Sequence, residues 1–365
     1  MILAALIDYL EQIAPLSYQE SYDNSGLIVG NPDQNIDRAI ISLDCTEEVV
    51  DEAIDLGCQL IIAHHPIVFK GLKRFNGRSY VERVVMKAIK HDIALYAIHT
   101  NLDNIYGGVN KKIAEKLSLQ QLSILSPKEE LLNKLVVFVP KTQAEQLRSA
   151  LFKAGAGHIG NYSECSFNAS GTGTFKAGAE TNPYVGSIGE RHYEVEERIE
   201  VIYPQHRERQ ILIAMYETHP YEEVAYDIYK LQNKHHQVGS GMIGSLPEPL
   251  EERQFLELLK QCLGASVIRH TRLRGKRVQR VAVCGGSGGF LLPQAIRQGA
   301  DVFVTADYKY HEFFDAEKKI VIADVGHFES EQFTQELLLE IIQKKFPNFA
   351  VRLTGVNTNP INYYI

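Results

Sequence analysis

Three short stretches of the chain gather side chains that can bind metal ions. His64-His65-Pro66 closes the apolar run Leu60-Ile-Ile-Ala63. His99-Thr-Asn-Leu-Asp103 closes the run that begins at Ile93. Asp324-Val-Gly-His327-Phe-Glu-Ser-Glu331 follows a third such run, starting near Lys318. Adjacent histidines point to opposite faces of a regular strand, so both imidazoles converge only if the chain turns. Pro66 ends the ladder and permits that turn. His327 and Glu331 stand four apart, on one face of a helical turn, and Gly326 allows close backbone approach. Each stretch has a plainer reading. These are two hydrogen-bonded histidines at a strand end, a strand-end turn with Asp103 as a helix cap, and an i, i+4 surface pair.

Taken together the stretches supply His64, His65, Asp103, His327 and Glu331. Mixed imidazole and carboxylate ligands suit Zn²⁺, Mn²⁺, Fe²⁺ or Ni²⁺ better than Mg²⁺ or Ca²⁺. Five side chains exceed the three that one catalytic zinc needs. Two divalent ions per chain, about 3.5–4 Å apart and sharing a carboxylate, would use them all. His99 is placed to orient Asp103, while Asp307, His311 and Asp324 are further outer partners of the ligands. Gly285-Gly286-Ser287-Gly288 follows a strand and opens a helix. It is either a phosphate-binding turn or a tight turn with no ligand.

The elements that must position these groups follow a clear grammar. Strands at Arg38–Asp44, Gln59–Pro66 and Ile93–Asp103 alternate with helices, as in a parallel sheet. Such sheets bind ligands beyond the carboxyl ends of their strands. The stretch after Val238 repeats that order, with strands at Arg280–Gly286, Asp301–Asp307 and Lys318–His327. Sliding the chain by 242 residues places Arg38 on Arg280, Ala53 on Ala295, Ile54 on Ile296 and Gly57 on Gly299. With a second connection 18 residues shorter, Asp103 falls on His327. The expected fold is α/β: two related halves, 1–130 and 238–365, forming one metal-binding fold. An insert, 131–237, interrupts them with the β-α-β-β-α-β order of a ferredoxin-like α+β unit. Thr142 is the expected cap of its first helix. Its Ser170–Thr174 and His219–Glu223 segments read as structural turns.

Composition narrows the function. Lysine plus arginine is 38 against 45 acidic residues, a net charge of −7, which disfavours nucleic acid as a partner. The five cysteines form no C-x-x-C pair and fit a reducing, cytoplasmic home. No apolar run is long enough to span a membrane. The N-terminus reads as an amphipathic helix and not as a signal peptide.

The stretches SYDNSGLIVG, SLDCTEEVVDEAI, LIIAHHP, AIHTNLD, TADYKYHEF and ADVGHFESE together resemble the GTP cyclohydrolase 1 type 2 homologue family, the Nif-three-like proteins. The middle third resembles the PII-like, CutA-like insert of longer bacterial members. The resemblance implies a dinuclear metal site at the same five residues and a homohexameric ring. Many relatives carry tryptophan where this chain has Tyr22. Two functions follow. One is a metal-dependent hydrolase that acts on a nucleotide or related phosphorylated metabolite. The other is a metal- or metabolite-binding regulatory or chaperone assembly without turnover, with the insert as sensor or gate. Either would take a small-molecule ligand.

Overall fold

The computed structural model describes residues 1–364. It divides into two compact units, Met1–Pro127 with the stretch from Gln237 onward, and Lys128–His236. The first unit opens with α1 (Leu3–Ile13), β1 (Gly26–Val29), β2 (Arg38–Ser42), α2 (Glu47–Asp55) and β3 (Leu60–Ala63). It continues with α3 (Tyr80–Lys90), β4 (Ala94–Ala97), α4 (Thr100–Asp103), α5 (Val109–Lys116) and β5 (Gln120–Lys128). The second unit holds β6 (Leu132–Pro140), α6 (Ala144–Lys153), β7 (Phe167–Lys176), β8 (Arg191–Pro204), α7 (Glu208–Thr218) and β9 (Tyr226–Leu231). The chain then forms β10 (His235–Glu251), α8 (Glu252–Leu263), β11 (Arg269–His270), β12 (Arg277–Val283) and α9 (Leu292–Arg297). It ends with β13 (Val302–Thr305), β14 (Val321–Asp324), α10 (His327–Glu331), α11 (Thr334–Lys345) and β15 (Ala350–Leu353).

The first unit contains two sheets, ordered β1-β4-β3-β2-β15 and β11-β14-β13-β12-β10-β5. The centre of each is a parallel triplet, β2-β3-β4 and β12-β13-β14. Every residue of β3, β4, β13 and β14 is buried. Strands covered on both faces therefore read as continuous apolar runs and not as an alternation. The flanking helices start where the sequence signals them. The Thr46 side chain accepts the Val49 N–H at 3.4 Å, and Ser79 accepts the Glu82 N–H at 3.2 Å. Val49, Val50 and Ala53 of α2 and Val84 and Ala88 of α3 turn one face each onto Ile40, Ile61 and Leu95.

The two triplets share one geometry. Ala39 pairs with Leu60 and Ile40 with Ile61; Val281 pairs with Val302 and Ala282 with Phe303. All four partners are related by the offset of 242. The stops match too: Gly57 and Gly299 have φ of 63° and 72°. The next connection corrects the expected alignment. Leu60 pairs with Ala94, and Val302 with Val321. The second connection is thus 15 residues shorter, not 18, since 94 + 242 − 321 = 15. His327 then corresponds to Thr100, and Asp103 to Ser330. Aligning on polar residues misplaces the register because the two halves put their ligands at different points of the same turn.

The second unit is a four-stranded antiparallel sheet ordered β7-β8-β6-β9, the ferredoxin-like arrangement of a β-α-β-β-α-β chain. Leu135, Val137 and Val139 pack with Ile199 and Val201 against Leu147, Leu151, Ile211 and Met215 of the two helices. Thr142 does not cap α6. A 3₁₀ turn over Lys141–Gln143 intervenes, and the Thr142 hydroxyl donates to the Gln143 side chain instead. Among the described residues, no helix is long and apolar enough to cross a membrane.

Candidate metal centre

The carboxyl ends of β3, β4 and β14 deliver the side chains of the site. The His64 and His65 N–H groups extend the ladder past Ala63 by donating to Ser42 and Leu43 carbonyls at 3.2 and 3.0 Å. Their rings then lie with centroids 5.0 Å apart. Beyond β4 the expected strand stops at Ala97, and α4 is a single turn that carries Asp103. Beyond β14, Gly326 at φ 98° lets the chain swing into α10, where His327 Nε2 lies 2.9 Å from Glu331 Oε2.

Hydrogen bonds fix which atom each imidazole presents. His64 Nδ1 lies 2.8 Å from the Ile98 carbonyl. A carbonyl only accepts, so Nδ1 carries the proton and Nε2 offers its lone pair. That Nε2 is buried without a hydrogen-bond partner, as is Asp103 Oδ1. The two stand 3.6 Å apart, and Glu331 Oε1 is 3.9 Å from the same nitrogen. His65 Nδ1 is held by Asp44 Oδ1 at 2.8 Å, and His327 Nδ1 by Asp307 Oδ2 at 2.7 Å. Their Nε2 atoms face each other at 3.2 Å, and His65 Nε2 is 2.9 Å from Glu331 Oε2. Leaving buried polar atoms unpaired costs about 1–3 kcal/mol each, so such a convergence is not packing for its own sake.

The electrostatics divide the group. Burial drives the His64 imidazole down to about 3, so it stays neutral. Against the cost of burial, Asp44 and Glu331 carry His65 up to about 10. Likewise Glu331 and Asp307 carry His327 up to about 11. Burial opposes the Glu331 charge, but the two facing imidazoles hold its carboxyl well below the usual range. Burial and the nearby Glu331 push the Asp103 carboxyl well above it. Ligating atoms fall into three sets, each lying within 4.8 Å of one another: His65, His327 and Glu331; His64, Asp103 and Glu331; and His64, His65 and His99.

Several outer residues sit elsewhere than expected. His99 does not orient Asp103. Its Nδ1 lies 2.8 Å from Asp23 Oδ1, and its ring packs against His64 and His65. Asp23 has no exposed side-chain surface and also accepts the Thr100 N–H and Ser25 hydroxyl at 3.0 and 3.1 Å. Asp324 serves the backbone by accepting the Tyr308 and Gly326 N–H groups at 3.0 and 3.2 Å. His311 is exposed and meets the Tyr310 ring edge to face, away from the cavity. In the glycine turn, three of the four N–H groups are already taken. The Gly285, Gly286 and Gly288 N–H groups already donate to Asn110, Ser330 and Thr305, each at 3.0 Å. Its glycines make room. A Cβ on Gly286, at φ 59°, would meet Glu331 Oε1 at 2.4 Å.

Two residues that sequence reasoning passes over, Asp23 and Asp44, hold the imidazoles of His99 and His65. Asp44 follows the first strand of its triplet, the same position that singles out the histidines. Asp23 lies in the SYDNSG turn, where nothing in the spacing marks it. His65, His99, Asp103, His327 and Glu331, together with Asp44, line a cavity of about 470 Å³. Tyr22, Phe69 and Phe290 stand on its rim, 63%, 47% and 63% exposed.

Over residues 1–360 the chain matches the family described as Duf34/NIF3 (NGG1p interacting factor 3). It is 40% identical over 363 residues to the GTP cyclohydrolase 1 type 2 homolog of Halalkalibacterium halodurans, covering 98% of each chain. It is 38% identical to the homolog of that name in Bacillus subtilis, covering 98% of this chain and 97% of the other. Its fold superimposes on a crystal structure of a Bacillus cereus protein related to NIF3 with a TM-score of 0.86, at 41% identity and 99% coverage of both.

Proposed function

The chain belongs to the Duf34/NIF3 family, and from that premise we propose that His64, His65, Asp103, His327 and Glu331 hold two divalent metal ions. The observation that carries this is the buried, unpartnered pair of His64 Nε2 and Asp103 Oδ1, facing Glu331. Glu331 turns one carboxylate oxygen to His65 and His327 and the other to His64. Glu331 would therefore be the ligand common to both ions. His327 and His65 owe their raised proton affinity to the carboxylates around them, and two cations would satisfy those carboxylates equally. The imidazole-rich set favours Zn, Mn, Fe or Ni over Mg or Ca.

The reaction we assign is hydrolysis of a nucleotide or related phosphorylated metabolite. Bound there, paired ions supply Lewis acidity that lowers the pKa of water and offsets charge on a displaced oxygen. The chain's own residues do the rest. Asp44, Asp307 and the Ile98 carbonyl fix the imidazole tautomers and aim each Nε2 inward. With Nδ1 tied to Asp23, His99 presents Nε2 on the cavity side and can exchange a proton there with a substrate atom. Tyr22, Phe69 and Phe290 offer rings at the mouth for a base to stack on. Self-association into a hexameric ring belongs to the same proposal and would show in the mass in solution.

Elemental analysis of the purified protein, combined with ultraviolet monitoring of GTP and a phosphorylated-metabolite panel, tests this reading. Two metals per chain and turnover abolished by Asp103→Ala are expected. Fully loaded protein that converts nothing would favour the assembly without turnover, in which the insert senses a ligand. The independent cavity of the insert supports that second reading.

A further inference from the structure

Two segments of the insert that read as plain turns in the sequence meet in one cavity. Ser170–Thr174 of β7 and Tyr221–Glu223, beyond α7, both line a space of about 610 Å³ that lies wholly within the insert. Small-molecule sites typically enclose about 300–1,000 Å³.

His219, Tyr221 and Glu222 of the second segment have identifiable tasks. His219 is buried, with Nε2 2.9 Å from the Phe138 carbonyl, so Nε2 donates. Its Nδ1 then accepts the Tyr221 N–H at 3.1 Å. Both nitrogens of a neutral imidazole are thereby spent on fixing Tyr221. The Tyr221 hydroxyl donates to Glu196 Oε1 at 3.1 Å, and Glu222 accepts the Asn182 N–H at 3.0 Å. Across the sheet the glycine at 173 has a matching reason. A Cβ there would meet Glu196 Oε2 at 2.0 Å. Gly173 has no left-handed φ, so it supplies space and not backbone freedom. The Glu196 carboxylate lies in that space.

Three rings accompany the carboxylate. The Tyr221 ring centroid is 5.9 Å from that of Phe175 and 6.2 Å from that of Tyr184, at interplanar angles of 61° and 51°. The Tyr184 hydroxyl is itself held by Gln143 at 3.1 Å. Of the cations on the lining, Arg198 is paired with Glu200 at 3.0 Å. Glu200 also pairs with Lys134 at 2.9 Å, so both lining cations count, and Glu196, Glu222 and Glu223 still outnumber Lys176 and Arg198. Inclined aromatic rings around a carboxylate are the recurring solution for holding organic cations.

We propose that this cavity binds an organic cation, a protonated amine or quaternary ammonium with a small apolar body. The cation sits among Phe175, Tyr184 and Tyr221 and is neutralised by Glu196. Burial and the neighbouring Glu194 already raise the proton affinity of Glu196, and a bound cation relieves the same cost.

The test compares choline with its uncharged isostere 3,3-dimethylbutan-1-ol, titrated into the full-length, metal-loaded protein by calorimetry. Saturable binding of choline is expected, with the isostere weaker by about tenfold or more. Glu196→Gln should lower choline affinity by about tenfold. Gly173→Ala, which displaces the Glu196 carboxylate without backbone strain, should do the same. Equal binding of the two probes overturns the proposal. So does an absence of choline saturation in the millimolar range, or tighter binding of adenosine than of choline. Because the probes are compared on the unmutated chain, the outcome does not depend on how the variants fold.

Discussion

The candidate metal centre and the insert cavity use the same residue types in opposite ways. In the centre, His65 and His327 each give Nδ1 to an outer carboxylate and turn Nε2 to the shared carboxylate of Glu331, at the cavity. In the insert, His219 gives one nitrogen to a carbonyl and the other to an N–H, and nothing is left over. Glycines differ likewise. Gly286 clears space for a proposed ligand side chain, and Gly173 clears space for the carboxylate of a cavity floor. What an imidazole does is decided by which groups the fold sets against its two nitrogens, not by its neighbours in sequence.

That contrast can be broken experimentally, starting with the largest effect. Glu331→Gln should remove most bound metal, because one oxygen of each proposed set loses its charge; elemental analysis reads this directly. If both metals are retained, the bridging role is wrong. Asp44→Asn should weaken metal affinity by about 10–100-fold while leaving the fold intact, as read by competition with a chelator. His219→Ala should leave metal content unchanged and lower the melting stability of the insert by about 1–3 kcal/mol through the orphaned Tyr221 N–H and Phe138 carbonyl. An effect of His219→Ala on metal content would erase the distinction.

The smallest effect concerns pH. Burial lowers the proton affinity of His219 below its ordinary 6.5. Below that pH the unfolded chain takes up the proton first. The stability contribution is therefore complete above about 6.5 and is lost as pH falls toward the folded-state value. Calorimetry of the whole chain should show a shallower acid slope for His219→Gln than for the parent. Identical slopes would exclude His219 as a source of the acid sensitivity.

The sequence displays the strand ends well. Parallel strands buried on both faces read as unbroken apolar runs, and polar residues at their carboxyl ends stand out. His64, His65, Asp103, His327 and Glu331 are legible for that reason, and so is the offset between the halves. Asp23 and Asp44 are not. Each holds its histidine across a gap of 76 or 21 residues, and no local pattern records such a pair. The turn at Gly285–Gly288 misleads because glycine clears space equally for a ligand and for a neighbouring side chain. The Ser170–Thr174 and His219–Glu223 segments escape notice together, since each is ordinary until the sheet brings it to the other.

The separation of His65 and Glu331 along the chain, 266 residues, carries a consequence for folding. Closing a flexible loop costs free energy that grows only as the logarithm of its length. Against 157 residues without the stretch Lys128–His236 (266 − 109), the full span adds about 0.5 kcal/mol. Interruption of the first unit is therefore nearly free in thermodynamic terms. In kinetic terms it is not, because nearby contacts form before distant ones. The insert and each strand triplet can assemble from nearby chain, whereas the centre waits until the two ends of the molecule meet. Ions bound across that late junction would act as a staple and slow unfolding at the step where the halves part.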